Sequence, residues 1–302
     1  MSTSYHVAVI GLGAMGMGAA RSCLRAGLTT YGIDLSEQAR SQLQQAGAAA
    51  VMADARPLAE TLDAVLLLVV NATQVRRILL GEAGLARHLK PGTAIMVSST
   101  IAAEEASALA AELAQMGLPM LDAPVSGGAI KADAGEMTVM AAGSDAAFDK
   151  LAPVLDAVAG KVYRVGSEPG QGSTVKIIHQ LLAGVHIAVA AEAMALASRA
   201  GVSLDLMYDV VTHAAGNSWM FENRMPRVLA GDYQARSAVD IFVKDLTLVA
   251  DTAKALRFPL PLASTALNMF LGASNAGHGQ EDDSAVIKIF SGINLPGQEE
   301  QA

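Results

Sequence analysis

His6-Val7-Ala8-Val9-Ile10-Gly11-Leu12-Gly13-Ala14-Met15-Gly16 is the stretch that decides the fold: an apolar run of five, then glycines in G-x-G-x-x-G spacing. The run predicts a β-strand and the residues up to Gly27 a helix, so the glycines turn one into the other. The next β-rich run, Thr29–Ile33, ends in Asp34, eighteen positions after Gly16. Strand, glycine spacing, helix and a following acid together make a dinucleotide-binding fingerprint. Gly11 permits the tight turn, Gly13 admits the pyrophosphate to the backbone, and Gly16 lets helix and strand pack. Leu12, Ala14 and Met15 complete the loop that opens the helix, whose free N–H groups attract phosphate. A carboxylate at Asp34 accepts hydrogen bonds from ribose hydroxyls and repels a 2′-phosphate. No arginine follows it immediately, in Asp34-Leu35-Ser36-Glu37. The expected cofactor is therefore NAD rather than NADP.

Working outward, further β-rich runs at 64–70, 93–97, 119–123, 138–142 and 162–165 alternate with helical patterns, the signature of a parallel sheet covered on both faces. The pattern changes near Gly166. A continuous helical pattern runs from about Ser173 to Ala200, with Gly201 placed to terminate it. A helix of roughly 28 residues spans about 42 Å, enough to link two domains. Further helical patterns cover 203–214, 222–229, 239–256, 262–273 and 281–290, and no later strand is predicted. The expected architecture is α/β: a Rossmann-type doubly wound sheet over residues 1–168, then an all-helical substrate and oligomerisation domain over 169–302.

The 302 residues are 52% hydrophobic and 17% charged, ample for a large core. A net charge of −8 argues against nucleic acid or anionic membrane as the main partner. The single cysteine, Cys23, excludes an intrachain disulfide and reads as a buried structural thiol. Residues 1–6 lack a basic segment, so no signal peptide is expected. The apolar stretch 181–197 carries His186 and Glu192, which disfavours a membrane span. A cytoplasmic enzyme fits these features. The six histidines are scattered, and no metal site is expected.

Three further motifs stand downstream: Asp122-Ala123-Pro124-Val125-Ser126-Gly127-Gly128, Gly170-Gln171-Gly172-Ser173-Thr174-Val175-Lys176, and Val243-Lys244-Asp245-Leu246. With the opening glycine loop they resemble the β-hydroxyacid dehydrogenase family over essentially the whole chain. Ser126, Gly127 and Gly128 follow a strand, where small residues leave backbone N–H groups free to cradle an anion. The resemblance implies that the substrate carboxylate sits there. It assigns proton transfer to Lys176, and a partly desolvated lysine suits that role because its neutral amine is favoured. It places Lys244 over the nicotinamide and Thr100 against cofactor or substrate. Val70 and Asn71, after the strand at 64–70, are expected to line the cofactor site.

The family usually carries two asparagines three and four positions after the lysine. Here they are His179 and Gln180, on the same helix face as Lys176. An imidazole and a longer amide suit a substrate with extra hydroxyls, such as a sugar acid. This version is most similar to the L-threonate dehydrogenase branch, which implies oxidation of L-threonate to 2-oxotetronate. The alternatives are 3-hydroxyisobutyrate or tartronate semialdehyde as substrate, or an NAD-binding sensor without catalysis. A sensor has no need of an amine at position 176. The long apolar helix predicts burial against a partner chain in a homodimer or homotetramer.

Overall fold

A computed structural model describes residues 4–296; residues 1–3 and 297–302, the two ends of the expected domains, lie outside the described residues. The chain divides into two compact units, Met1–Lys176 and Ile177–Ala302.

The first unit alternates strands and helices. In chain order these are β1 (His6–Ile10), α1 (Ala14–Arg25), β2 (Thr29–Ile33), α2 (Glu37–Gln45), β3 (Ala50–Met52), β4 (Ala64–Leu67), α3 (Ala72–Leu80), β5 (Ala94–Val97) and α4 (Ala103–Gln115). Then come β6 (Met120–Asp122), β7 (Val125–Ser126), α5 (Gly128–Ala134), β8 (Met137–Ala142), α6 (Asp145–Val158) and β9 (Ala159–Gly166). The sheet order is β3-β2-β1-β4-β5-β6-β8-β7, with β9 paired to β8. Strand order reverses beside β1, which puts the glycine loop at the switch point where open α/β sheets bind ligands. Side chains alternate across β1: Val7 and Val9 enter one core, Ala8 and Ile10 the other, so both faces are covered.

The sheet departs from the all-parallel expectation at one place. β8 runs antiparallel to β6 and β7. Only residues 127–136 separate β7 from β8, fewer than the dozen or more that a parallel crossover requires. β3 and β7, three and two residues long, are too short to carry a readable alternation. Cys23 is fully buried on α1, and burial pushes its thiol up to about 12, so it packs as an inert side chain.

Helix α7 (Gln171–Arg199) begins in the first unit and continues into the second, followed by α8 (Leu204–Thr212), α9 (Trp219–Ala230), α10 (Val239–Ala255) and α11 (Pro261–Ala273). By length and composition α7 alone among the described helices could cross a membrane. Its Ile187, Ala191 and Met194 are instead buried in the core of the helical unit with Met225, Phe242 and Phe270. The helical pattern expected over 281–290 is a tighter 3-10 segment, Asp283–Ile289. The reason is a pair of buried acids at its start. Asp283 takes both nitrogens of a fork from Arg224 at 2.6 and 2.9 Å, and Asp282 binds Arg227 at 2.5 Å. With those carboxylates pulled inward, Ala285, Val286 and Ile287 are all fully buried, which leaves no polar face to continue an amphipathic helix.

Candidate active site

β1 delivers the chain to Gly11, which sits at φ +91°; an added Cβ there would stand 2.7 Å from the Leu68 carbonyl oxygen. A Cβ on Gly16 would fall 1.7 Å from the Gly11 oxygen, so helix and loop touch backbone to backbone. Gly13 differs: its Cβ position faces open space. It is also the N-cap of α1, with no side chain bonding the first-turn N–H groups and no acid in that turn. The loop is therefore tight where it must turn and open where a phosphate would approach, and it fits a bound dinucleotide.

Asp34 is aimed at the same place. Its Oδ2 accepts the Leu12 N–H at 2.6 Å and its Oδ1 the Ser36 N–H at 2.7 Å. Each carboxylate oxygen keeps a second lone pair for a ribose hydroxyl. Ser36, not Asp34, caps α2 by accepting from the Ala39 N–H at 3.2 Å. Arg40, one turn along, spends its guanidinium on the carbonyls of Asp34 and Leu35 at 2.7 and 2.9 Å. At the carboxyl ends of β4 and β5, Ser99 Oγ accepts the Val69 N–H at 3.1 Å. Val70, Asn71 and Thr100 lie on this rim. Val70 is half exposed with its N–H on Gln74 Oε1 at 2.8 Å, and Asn71 caps α3 through the Gln74 N–H at 2.9 Å.

The second and third motifs meet at a residue that the sequence reading left without a role. Asp122, at the end of β6, is fully buried. Its Oδ2 accepts the N–H groups of Gly170 and Ser173, both at 2.8 Å, and its Oδ1 accepts the Ser173 hydroxyl at 2.7 Å. Burial pushes its carboxyl above the ordinary carboxylate range, and the bonds from Ser173 and Gly170 pull against that. A negative group here caps α7 and meets the positive end of its dipole. Gly172 is required for the close fit, since a Cβ would come 2.4 Å from the Asp122 carbonyl. This anchor holds the first turn of α7 in the first unit and so places Lys176 on the next turn. An acid closing an otherwise apolar strand was the readable signal for it. Ser126 pairs with Thr138 in the β7–β8 ladder, and Gly127 and Gly128, at φ +129° and +72°, turn the chain into α5.

Burial on α7 inverts the usual order. Lys176 is 6% exposed and Gln180 7%, while apolar Val175 and Ile178 are 38% and 59% exposed. In the helical unit, Asp245 on α10 is buried; its Oδ2 accepts Gln180 Nε2 and its Oδ1 accepts Lys244 Nζ, both at 2.5 Å. Gln180 Oε1 lies 3.0 Å from His179 Nδ1. A Cβ on Gly184 would meet Leu246 at 2.9 Å, so this glycine lets α10 approach α7. Asp245 is the second residue without a foreseen role. Among the described residues no three His, Cys, Asp or Glu side chains gather as a metal site. His278 and Glu281, in H-x-x-E spacing, bond each other at 2.9 Å, with Lys288 on the other Glu281 oxygen.

Two family models cover the chain. Residues 6–166 match the NAD binding domain of 6-phosphogluconate dehydrogenase, and residues 170–290 the NAD-binding domain of NADP-dependent 3-hydroxyisobutyrate dehydrogenase. The chain belongs to the β-hydroxyacid dehydrogenase family. Among its relatives, an L-threonate dehydrogenase of Escherichia coli O6:H1 is 72% identical over 98% of both chains. Another, from Cupriavidus necator, is 56% identical over 98% of this chain and 100% of its own. The crystal structure of a 3-hydroxyisobutyrate dehydrogenase from Salmonella typhimurium is 70% identical, with a TM-score of 0.92 over 95% of this chain and 100% of that one. As a β-hydroxyacid dehydrogenase, the chain is an oxidoreductase that acts on the CH–OH group of a small hydroxy acid with a nicotinamide cofactor.

Proposed function

We propose that this β-hydroxyacid dehydrogenase oxidises L-threonate at C2 to 2-oxotetronate, with NAD as acceptor. The observation that carries the substrate is the pair His179 and Gln180, one turn from buried Lys176, where the family usually has two asparagines. The relatives named L-threonate dehydrogenase, at 56% to 72% identity, support it. Ser126 and the N–H groups around Gly127 and Gly128 hold the carboxylate. Lys176 takes the C2 hydroxyl proton as its neutral amine, the form that desolvation favours in a lysine. Bound NAD supplies the acceptor for the C2 hydrogen and its electron pair. Leu12, Ala14 and Met15 with the three loop glycines, Asp34, Val70, Asn71, Thr100 and Lys244 hold the dinucleotide. A panel of C3 to C6 hydroxy acids with NAD, followed by NADH absorbance, tests the assignment. Its failure would be turnover of 3-hydroxyisobutyrate or D-glycerate as efficient as that of L-threonate.

Asp34 sets the choice of cofactor. NAD is expected to exceed NADP by at least about tenfold in kcat/KM, roughly 1.4 kcal/mol. Asp34→Ser should narrow the gap by removing the charge that repels a 2′-phosphate. Equal efficiency of the wild type with both would count against the role.

The enzyme works in the cytoplasm on a small molecule, with neither nucleic acid nor membrane as partner, in keeping with its net charge of −8. We further propose that it assembles as a homodimer or homotetramer through α7 and α8. Val175, Ile178, Leu182, Val189 and Leu196 form a stripe of exposed apolar residues three, four or seven positions apart. No residue of α8 is buried, although Leu206 and Val210 are apolar. Such a surface is costly in water and marks an interface. Sedimentation equilibrium should give the mass of two or four chains; a monomer at micromolar concentration would exclude this.

A further inference from the structure

We propose that Asp245 is a positioning residue that decides which nitrogen of His179 carries the ring proton, acting through the side-chain amide of Gln180. The argument is one of donors and acceptors. Lys244 Nζ only donates, and it occupies Asp245 Oδ1 at 2.5 Å. Asp245 Oδ2 only accepts, so the group that meets it at 2.5 Å is the NH2 end of Gln180. This orients the amide, and its oxygen is left facing His179 Nδ1 at 3.0 Å. A carbonyl oxygen only accepts, so Nδ1 carries the proton. In the neutral ring Nε2 is then an acceptor. A buried carboxylate two side chains away thus gives His179 a fixed polarity toward anything that meets Nε2.

The consequence for catalysis rests on the reading of His179 as a contact to a substrate hydroxyl. An acceptor at Nε2 takes the hydroxyl proton in a hydrogen bond and leaves that oxygen's lone pairs for other donors. Gln180 acts here by holding the ring. The arrangement also explains why an acid follows Lys244 directly: its two oxygens serve two different donors.

The isosteric variant Asp245→Asn makes the relay testable. Lys244 requires an acceptor, so the Asn carbonyl faces it and the Asn NH2 faces Gln180. Gln180 must then turn over, present its oxygen to Asn and its NH2 to His179 Nδ1, and drive the ring proton to Nε2. Long-range 1H–15N spectra of the full-length, 15N-histidine-labelled enzyme report the tautomer directly, with His179→Asn identifying the signals. The wild type should show a protonated Nδ1, and Asp245→Asn a protonated Nε2. A wild-type ring with its proton on Nε2, or an Asp245→Asn ring unchanged from the wild type, would overturn the proposal. Gln180→Met keeps the length without the amide and should leave the proton shared between both nitrogens; a pure Nδ1–H ring in that variant would also overturn it. In Asp245→Asn, kcat/KM for L-threonate should fall about tenfold, and that for 3-hydroxyisobutyrate less than about twofold. A proton that moves with no change in that ratio supports the relay and removes His179 from the substrate contacts.

Discussion

Lys176→Ala is expected to lower kcat by about a hundredfold or more while NAD binds almost as tightly as before. The side chain is 6% exposed on a helix face that also carries Gln180, with apolar Val175 and Ile178 turned outward. A long cationic side chain is not buried for packing, because desolvating an ammonium is costly and an alanine there would fold more easily. Asp122 anchors the turn of α7 that precedes Lys176, through three hydrogen bonds to its carboxylate. The loop proposed to hold the cofactor, residues 11 to 16, is a separate element, so truncating the lysine should spare NAD affinity. Stopped-flow NADH formation and fluorescence titration with NAD read the two quantities. Retention of a tenth of the activity would reduce Lys176 to a positioning residue, and loss of NAD binding as well would indicate a damaged fold.

L-threonate is expected to exceed 3-hydroxyisobutyrate by about a thousandfold in kcat/KM, the largest effect foreseen here. A site built to bond hydroxyls rejects an analogue without them, because its own polar groups are left unpaired in a place closed to water. Extra methyl contact, by contrast, is worth only about 1–3 kcal/mol. Replacing His179 and Gln180 together with Asn should shrink the ratio more than it weakens NAD binding. A ratio near one in the wild type would end the sugar-acid assignment and leave the dehydrogenase chemistry intact. The comparison also separates two names borne by similar proteins, an L-threonate dehydrogenase at 72% identity and a 3-hydroxyisobutyrate dehydrogenase at 70%.

Much of this was legible along the chain, for local reasons. The glycines at 11, 13 and 16 announce a strand-to-helix turn by spacing, because so tight a turn leaves few backbone choices. The change from strand to helix periodicity near Gly166 marked the all-helical half, and Lys176, His179 and Gln180 declared a shared face through helical geometry alone. What the sequence could not state was which polar atoms meet across distant positions. Asp122 and Ser173 are 51 residues apart, Gln180 and Asp245 are 65, and Arg224 and Asp283 are 59. Their partners follow no period, and an isolated acid in a string of letters looks the same whether solvated or buried. Only the packed structure brings each carboxylate to its donors, because burial without those donors would be too costly to persist. The antiparallel turn of β8 belongs to the same class, decided by how few residues join it to β7 and not by its own composition. The chain by itself thus determined the glycine turn, the class of fold and the helix face that carries Lys176. Tertiary structure decided which donors anchor the turn before that lysine and which amide meets the histidine beside it.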